Sequence, residues 1–206
     1  MLAVIRPYRT VMLYVFSGTN INDALVDSLK ILQSTKGDGL MAPIVVFLTD
    51  GDPTVGVTNM QKILNNVESQ NEDKIQIFSL AFGEDTNFKF LRKISARNNG
   101  FARKIYTDAD AALQLTGFYS EISNVLLSKV SVTYLDDAVN LTSVTQTQFL
   151  SFFDGSELVV SGKLNEVADD YNSITMTVTG SGVQGILELS ATTEIIKQNQ
   201  EIRKFI

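Results

Sequence analysis

Short continuous apolar runs separated by amphipathic helical patterns govern this chain up to Lys129, and beyond that point the period of the pattern falls to two. A strand buried on both faces needs helices above and below it, so the first pattern specifies βα units around a mostly parallel sheet. Alternation of apolar and polar residues specifies antiparallel strands. Ile44 to Leu48 is such a doubly covered run, and it ends in Thr49-Asp50-Gly51-Asp52-Pro53. Ahead of it, Asn20-Ile21-Asn22 opens a helix with Ile21, Ala24, Leu25, Leu29 and Leu32 on one face, and Gly37 and Gly39 close the connection. Thr58 and Gln61 fit a capping box for a helix that buries Met60, Ile63, Leu64 and Val67. Ile75 to Phe82 reads as the next strand. Asp85 or Thr86 is expected to cap a helix running to about Asn98, with Gly100 as its left-handed terminator. Phe101 to Tyr106 reads as a strand, and Asp108 opens a helix carrying Leu115, Phe118, Ile122, Val125 and Leu126.

The second pattern places strands at Val130, Val132 and Tyr134, at Leu158 and Val160, at Ile174, Met176 and Val178, and at Ile186, Leu187 and Leu189. Asp136-Asp137, Asp154-Gly155, Asp169-Asp170 and Gly180-Ser181-Gly182 are read as the turns between them. The fold class is therefore α/β followed by an antiparallel β region. Residues 1–16 receive no element, 17–129 form the α/β part, 130–195 the antiparallel part, and 196–206 a polar tail read as the start of a helix.

Chemistry is bounded by what is missing. The 206 residues include no His and no Cys, which removes imidazole bases, thiol nucleophiles, disulfides and Cys/His zinc sites together. Seventeen Lys and Arg stand against 23 Asp and Glu, and the net charge of −6 falls entirely after Lys129, so general nucleic-acid binding is not expected. No apolar stretch reaches the roughly 18–20 residues of a membrane helix, and no secretory signal is read at the N-terminus.

Asp50 stands at the C-terminal end of a central strand, where open α/β sheets place their ligand crevices. A carboxylate there suits a hard cation such as Mg²⁺, and Thr19, just ahead of a helix, brings a hydroxyl within reach of the same crevice. The plain alternative makes Asp50 the cap of a Thr-Asp-Gly turn and Thr19 the helix cap. Lys89, Lys93 and Arg97 recur every four residues, Arg92 is adjacent, Arg103 and Lys104 follow, and no acid intervenes. They form either a surface for an anionic polymer or a solvated helix face. Asn140-Leu141-Thr142 is an N-glycosylation sequon. Asp52, Asp136, Asp137, Asp169 and Asp170 read as turn formers.

The segments Ser17-Gly18-Thr19-Asn20-Ile21-Asn22-Asp23-Ala24-Leu25 and Phe47 to Gly56 resemble von Willebrand factor A domains, and specifically those of the inter-alpha-trypsin inhibitor heavy chains. The likeness continues through Gly100 to Tyr106, Gln114 to Tyr119 and Phe153 to Gly162. The resemblance implies a metal-ion-dependent adhesion site with Thr19 and Asp50 among its ligands. It also implies a secreted, non-enzymatic protein that binds hyaluronan or other matrix components, with protease inhibition left to a separate light chain. The family's Asp-x-Ser-x-Ser segment, which supplies the remaining ligands, is not in this sequence, so no cofactor is expected to be required, and Mg²⁺ is expected to bind weakly or not at all unless those ligands are supplied. A fragment or short product is expected. Without the family's first strands, the edge of Ile44 to Leu48 is expected to be open to self-association or to pairing with Val11 to Phe16. Two rival functions remain: an intracellular A-domain scaffold, and a Mg²⁺-dependent phosphoryl-transfer enzyme built on Asp50 and Asp52, which has no Gly-rich phosphate loop to support it.

Overall fold

The computed structural model describes residues 2–6, 9–13, 18–34, 43–84, 86–135, 137–165 and 172–195. The chain divides into two compact units, Met1–Val125 and Leu126–Ile206.

The first unit contains β1 (Leu2–Arg6), β2 (Arg9–Leu13), α1 (Ile21–Ser34), β3 (Ile44–Thr49), α2 (Met60–Gln70), β4 (Gln76–Phe82), α3 (Phe88–Arg97), β5 (Ala102–Ile105) and α4 (Ala111–Ser123). Its five-stranded sheet has the order β2-β1-β3-β4-β5. β3, β4 and β5 are parallel, while β1 is antiparallel to both β2 and β3. Ile44 to Phe47 of β3 are buried without alternation, as a strand covered on both faces requires, and on one face Val45, Phe47, Ile77 and Ala81 lie in one cluster with Ile21, Leu25 and Leu29 of α1, Ile63, Leu64 and Val67 of α2, and Leu91 and Ile94 of α3.

The flank of β3 differs from expectation. Within the residues given no element, Leu2–Arg6 and Arg9–Leu13 pair antiparallel, and Leu2–Arg6 takes the place beside β3 expected for Val11 to Phe16, in the register Leu2 to Phe47 and Ile5 to Ile44. Composition accounts for the choice. Leu-Ala-Val-Ile suits an inner position, whereas Arg9 and Thr10 suit the outer strand, so the expected open edge at β3 is covered.

The starts of α2, α3 and α4 shift by one or two residues, to Asn59, Asn87 and Asp110. Asn59 caps α2, accepting from Lys62 N at 2.9 Å, and Asn87 caps α3, accepting from Phe90 N at 3.1 Å. α4 is capped by Asp110 through Leu113 N at 3.0 Å, not by Asp108. After α3 the left-handed residue is Asn99, at φ 57°, and Gly100 answers a different need: a Cβ there would stand 2.1 Å from the carbonyl oxygen of Ile77. α4 stops at Ser123, and Val125 and Leu126, expected on the helix, open the next strand. Their spacing from Ile122 fits a helix continuing or a strand starting, and the Ser123-Asn124 pair ends the helix.

β6 (Val125–Tyr134) leads into the second unit, followed by β7 (Val139–Asn140), a 3₁₀ turn at Leu141–Ser143, β8 (Gln148–Phe153), β9 (Lys163–Leu164), β10 (Ser173–Gly182) and β11 (Gly185–Glu194). A four-stranded sheet has the order β11-β10-β6-β8, and β7 and β9 form a separate antiparallel pair. Lys129, at φ 52°, makes a bulge in β6 that shifts its register with β10. Leu158 and Val160 are not in a strand, and Gly180 to Gly182 is strand, the turn falling instead at Val183-Gln184. Gly37, Gly39, Asp85, Asp136, Asp169, Asp170 and 196–206 lie outside the described residues.

Candidate functional site

The crevice end of β3 is built by two segments that lock together. Thr54 N donates to Thr19 O at 2.9 Å, and Thr19 N donates to Thr54 Oγ1 at 2.8 Å. The approach is close enough that a Cβ on Gly18, itself at φ 77°, would stand 2.3 Å from Val55 Cγ2. Thr54 therefore positions the Thr19 segment, a role with no signal in the sequence.

The capping roles considered for Thr19 and Asp50 are filled by their neighbours. Asn20 caps α1: its Oδ1 accepts from Asp23 N at 3.2 Å, and its Nδ2 donates back to Asp23 Oδ2 at 2.7 Å. Thr49 holds the turn after β3, its Oγ1 donating to Gly51 O at 3.0 Å and accepting from Gly51 N at 3.3 Å. Thr19 Oγ1 and the Asp50 carboxylate make no side-chain hydrogen bond among the described residues, and Asp50 is exposed. Thr19 Oγ1 lies 3.9 Å from where a Cβ on Gly51, the residue after Asp50, would stand.

Behind them runs a polar chain. Asn66 Nδ2 of α2 donates to Asn22 Oδ1 at 2.8 Å, and Asn22 Nδ2 donates to Asp23 Oδ1 at 2.7 Å. Hydrogen bonds from Asn22 and Asn20 hold the Asp23 carboxyl below its ordinary pKa of 3.8, with a smaller contribution from Lys30. The depressed folded value means that this stabilisation is present above pH 3.8 and fades as pH falls through the lower folded pKa. The donor set tests poorly as a metal cage. One carboxylate and one hydroxyl leave most of an octahedral Mg²⁺ shell to water, and among the described residues no three acidic side chains converge.

The six basic residues separate into two groups. Arg97 is paired with Glu68 of α2 at 3.1 Å, and Arg103 makes a bidentate pair with Glu121 of α4 at 2.8 and 2.9 Å. The Arg103 guanidinium also stands 5.7 Å from the ring centres of both Phe101 and Phe118, and Lys104 is paired with Glu84. Lys89, Arg92 and Lys93 are exposed on α3 and make no ion pair among the described residues. The neutralising acids come from elements distant in sequence, which a scan of residues 89–104 does not reveal. Asn140 is half-buried, and its Oδ1 accepts from Thr142 N at 3.1 Å and Thr142 Oγ1 at 2.7 Å.

Residues 11–121 match the von Willebrand factor type A domain family. The chain belongs to that family. A von Willebrand factor type A protein of Catenulispora acidiphila has the same fold, with a TM-score of 0.57 and 14% identity, covering 89% of this chain and 47% of that one. Among curated proteins, the chain is 45% identical over 157 residues to inter-alpha-trypsin inhibitor heavy chain H4 of Bos taurus, covering 74% of this chain and 17% of the relative. It is 38% identical over 187 residues to heavy chain H3 of Homo sapiens, covering 89% of this chain and 20% of the relative. With heavy chain H2 of Homo sapiens the identity is 39% over 178 residues, covering 84% and 19%. The chain thus spans about a fifth of the length of these relatives. In this type A domain no described helix is long and apolar enough to cross a membrane.

Proposed function

We propose that this type A domain chain is a non-enzymatic, extracellular recognition module of the inter-alpha-trypsin inhibitor heavy-chain kind, with hyaluronan or another acidic matrix polymer as its ligand. The observation that carries the reading is the 38% identity to a human heavy chain across 89% of this chain. Protease inhibition then belongs to a separate light chain that this module accompanies, and Asn140 is the position for an N-linked glycan.

The mechanism is surface recognition. Lys89, Arg92 and Lys93 present three cations on one exposed stretch of α3, free to meet polymer carboxylates, while Arg97, Arg103 and Lys104 are already held by carboxylates of the chain itself. Attraction of this kind is screened by salt, with a Debye length of about 8 Å at physiological ionic strength. On immobilised hyaluronan, replacing Lys89, Arg92 and Lys93 together by glutamine is expected to bring elution down to the salt concentration of an unbound protein. Arg97→Gln is expected to shift elution much less. Equal retention of the triple variant and the parent chain would overturn the proposed surface.

Mg²⁺ has a place only where oxygen ligands beyond Thr19 and Asp50 are supplied. Titration calorimetry of this chain with Mg²⁺ is expected to show no micromolar binding. A micromolar isotherm that Asp50→Ala abolishes would reverse that expectation.

A further inference from the structure

An exposed sheet edge lies in the second unit. Among the described residues β11 is the outermost strand of its sheet and pairs with β10 alone, and all ten of its residues, Gly185–Glu194, are exposed. It carries no Lys, no Pro and no bulge, three of the devices that keep an edge from pairing, and its charges are Glu188 and Glu194 alone. Ile186 is 82% exposed and Leu189 is 58% exposed.

Which backbone groups face outward follows from the hairpin. Gly182 and Gly185 flank a two-residue turn, and at the far end Ile195 N donates to Asn172 O at 2.9 Å. The odd-numbered residues of β11 therefore exchange hydrogen bonds with β10, since antiparallel ladders alternate bonded and non-bonded pairs. Ile186, Glu188, Ser190, Thr192 and Glu194 aim their N–H and C=O groups away from the sheet. The odd-numbered side chains Leu187, Leu189 and Ala191 share a face with Val178 and Met176 of β10, their cross-strand neighbours, so an apolar stripe reaches the open edge.

We propose that β11 pairs antiparallel with β11 of a second copy of this chain, about a two-fold axis at Leu189, joining two four-stranded sheets into one. Only even-numbered residues can form the bonded pairs, which restricts the register to steps of two. Centring on Leu189 sets Glu188 against Ser190, Ile186 against Thr192 and Glu194 against Gln184, with Leu189 against itself and Leu187 against Ala191. One step towards the turn sets Glu188 against Glu188, and two steps the other way sets Glu188 against Glu194. Both place like charges directly opposite, which destabilises a strand pair. The register centred on Ser190 avoids that clash but sets Leu187 against Thr193 and loses the leucine pair. The partner is therefore a copy of the same strand, and the contact is closed because the same surface serves both sides.

The test uses the whole chain, which has no cysteine of its own. Sedimentation equilibrium is expected to show a monomer–dimer equilibrium. Ser190→Pro removes an outward N–H without touching the bonds to β10, and Leu189→Lys places two like charges on the axis, so each is expected to give a monomer. With a mild oxidant, Leu189→Cys is expected to form disulfide-linked dimers, because directly opposed residues of a non-bonded pair stand about 4.5 Å apart at Cα, within disulfide reach. Thr193→Cys, opposed to Gly185, is expected to stay unlinked. A monomer at every concentration, open-ended polymers, a dimer indifferent to both edge variants, or equal linking of the two cysteine variants would each overturn the proposal.

Discussion

Replacing Gly100 by alanine is expected to destabilise the first unit by about 3 kcal/mol, the upper end of what overpacking a tight site costs. The new methyl group would stand 2.1 Å from the Ile77 carbonyl oxygen, which is backbone of the interior strand β4 and has no rotamer by which to withdraw. Retreat by Gly100 is equally restricted, because its own N–H donates to Ser95 O at 2.9 Å and the preceding Asn98 carbonyl accepts from Ile77 N at 3.1 Å. Because the chain has two units, one global melt would blend two transitions. Amide hydrogen exchange at Ile77 and Ser79 isolates the relevant strand, and loss of their protection is the expected result. Gly117→Ala is the matched control: it sits inside α4 with open space around it, and alanine there is expected to stabilise by about 0.5–1 kcal/mol. Protection at Ile77 unchanged by Gly100→Ala would contradict the close approach.

A loss of similar size is expected for Asn71→Leu, at roughly 3 kcal/mol. The Asn71 side chain accepts from Ile75 N at 2.7 Å and donates to Ile75 O at 2.7 Å and to Asn98 Oδ1 at 2.8 Å. Asn98, only 2% exposed, donates in turn to Ile94 O at 2.8 Å. Leucine matches the volume but strands a buried N–H and two buried oxygens, and each such orphan costs about 1–3 kcal/mol. Exchange protection at Ile75 is the direct readout. Retained protection there, with an unshifted urea midpoint, would show that water replaces the amide without loss.

These asparagines mark where legibility in the sequence ended. The helices α1 and α2 and the strands β3 and β4 were readable because burial imposes a spacing, and Ile21, Leu25 and Leu29 or Ile63, Leu64 and Val67 keep it. Asn71 and Asn98 obey no spacing, because what they satisfy is a set of backbone groups placed by the tertiary fold. The caps were misplaced for a related reason: Thr58, Thr86 and Asp108 are all sound N-cap residues, and the neighbouring Asn59, Asn87 and Asp110 are as good or better. At the crevice, the Thr54 clamp on the Thr19 segment carries no signal in the sequence, because it joins groups that only the fold brings together. On the basic face, reading residues 89–104 alone overstated the free charge, since Glu68, Glu84 and Glu121 reach it only through folding.

The direction of β1 settles which part of the chain can reach the Asp50 crevice. Because β1 runs against β3, Leu2 lies beside Phe47 near the crevice end, and Arg6, which pairs with Arg9, lies towards the opposite end of the sheet. The Arg6–Arg9 end of the pair therefore lies away from Asp50. On that flank, what arrives at the crevice is Leu13, which pairs with Leu2 and leads on in sequence to Thr19. An engineer who wished to add oxygen donors near Asp50 on that flank would write them at Leu2 or Leu13, where strand polarity reaches the right end of the sheet, and would gain nothing from the same residues at Arg6 or Arg9.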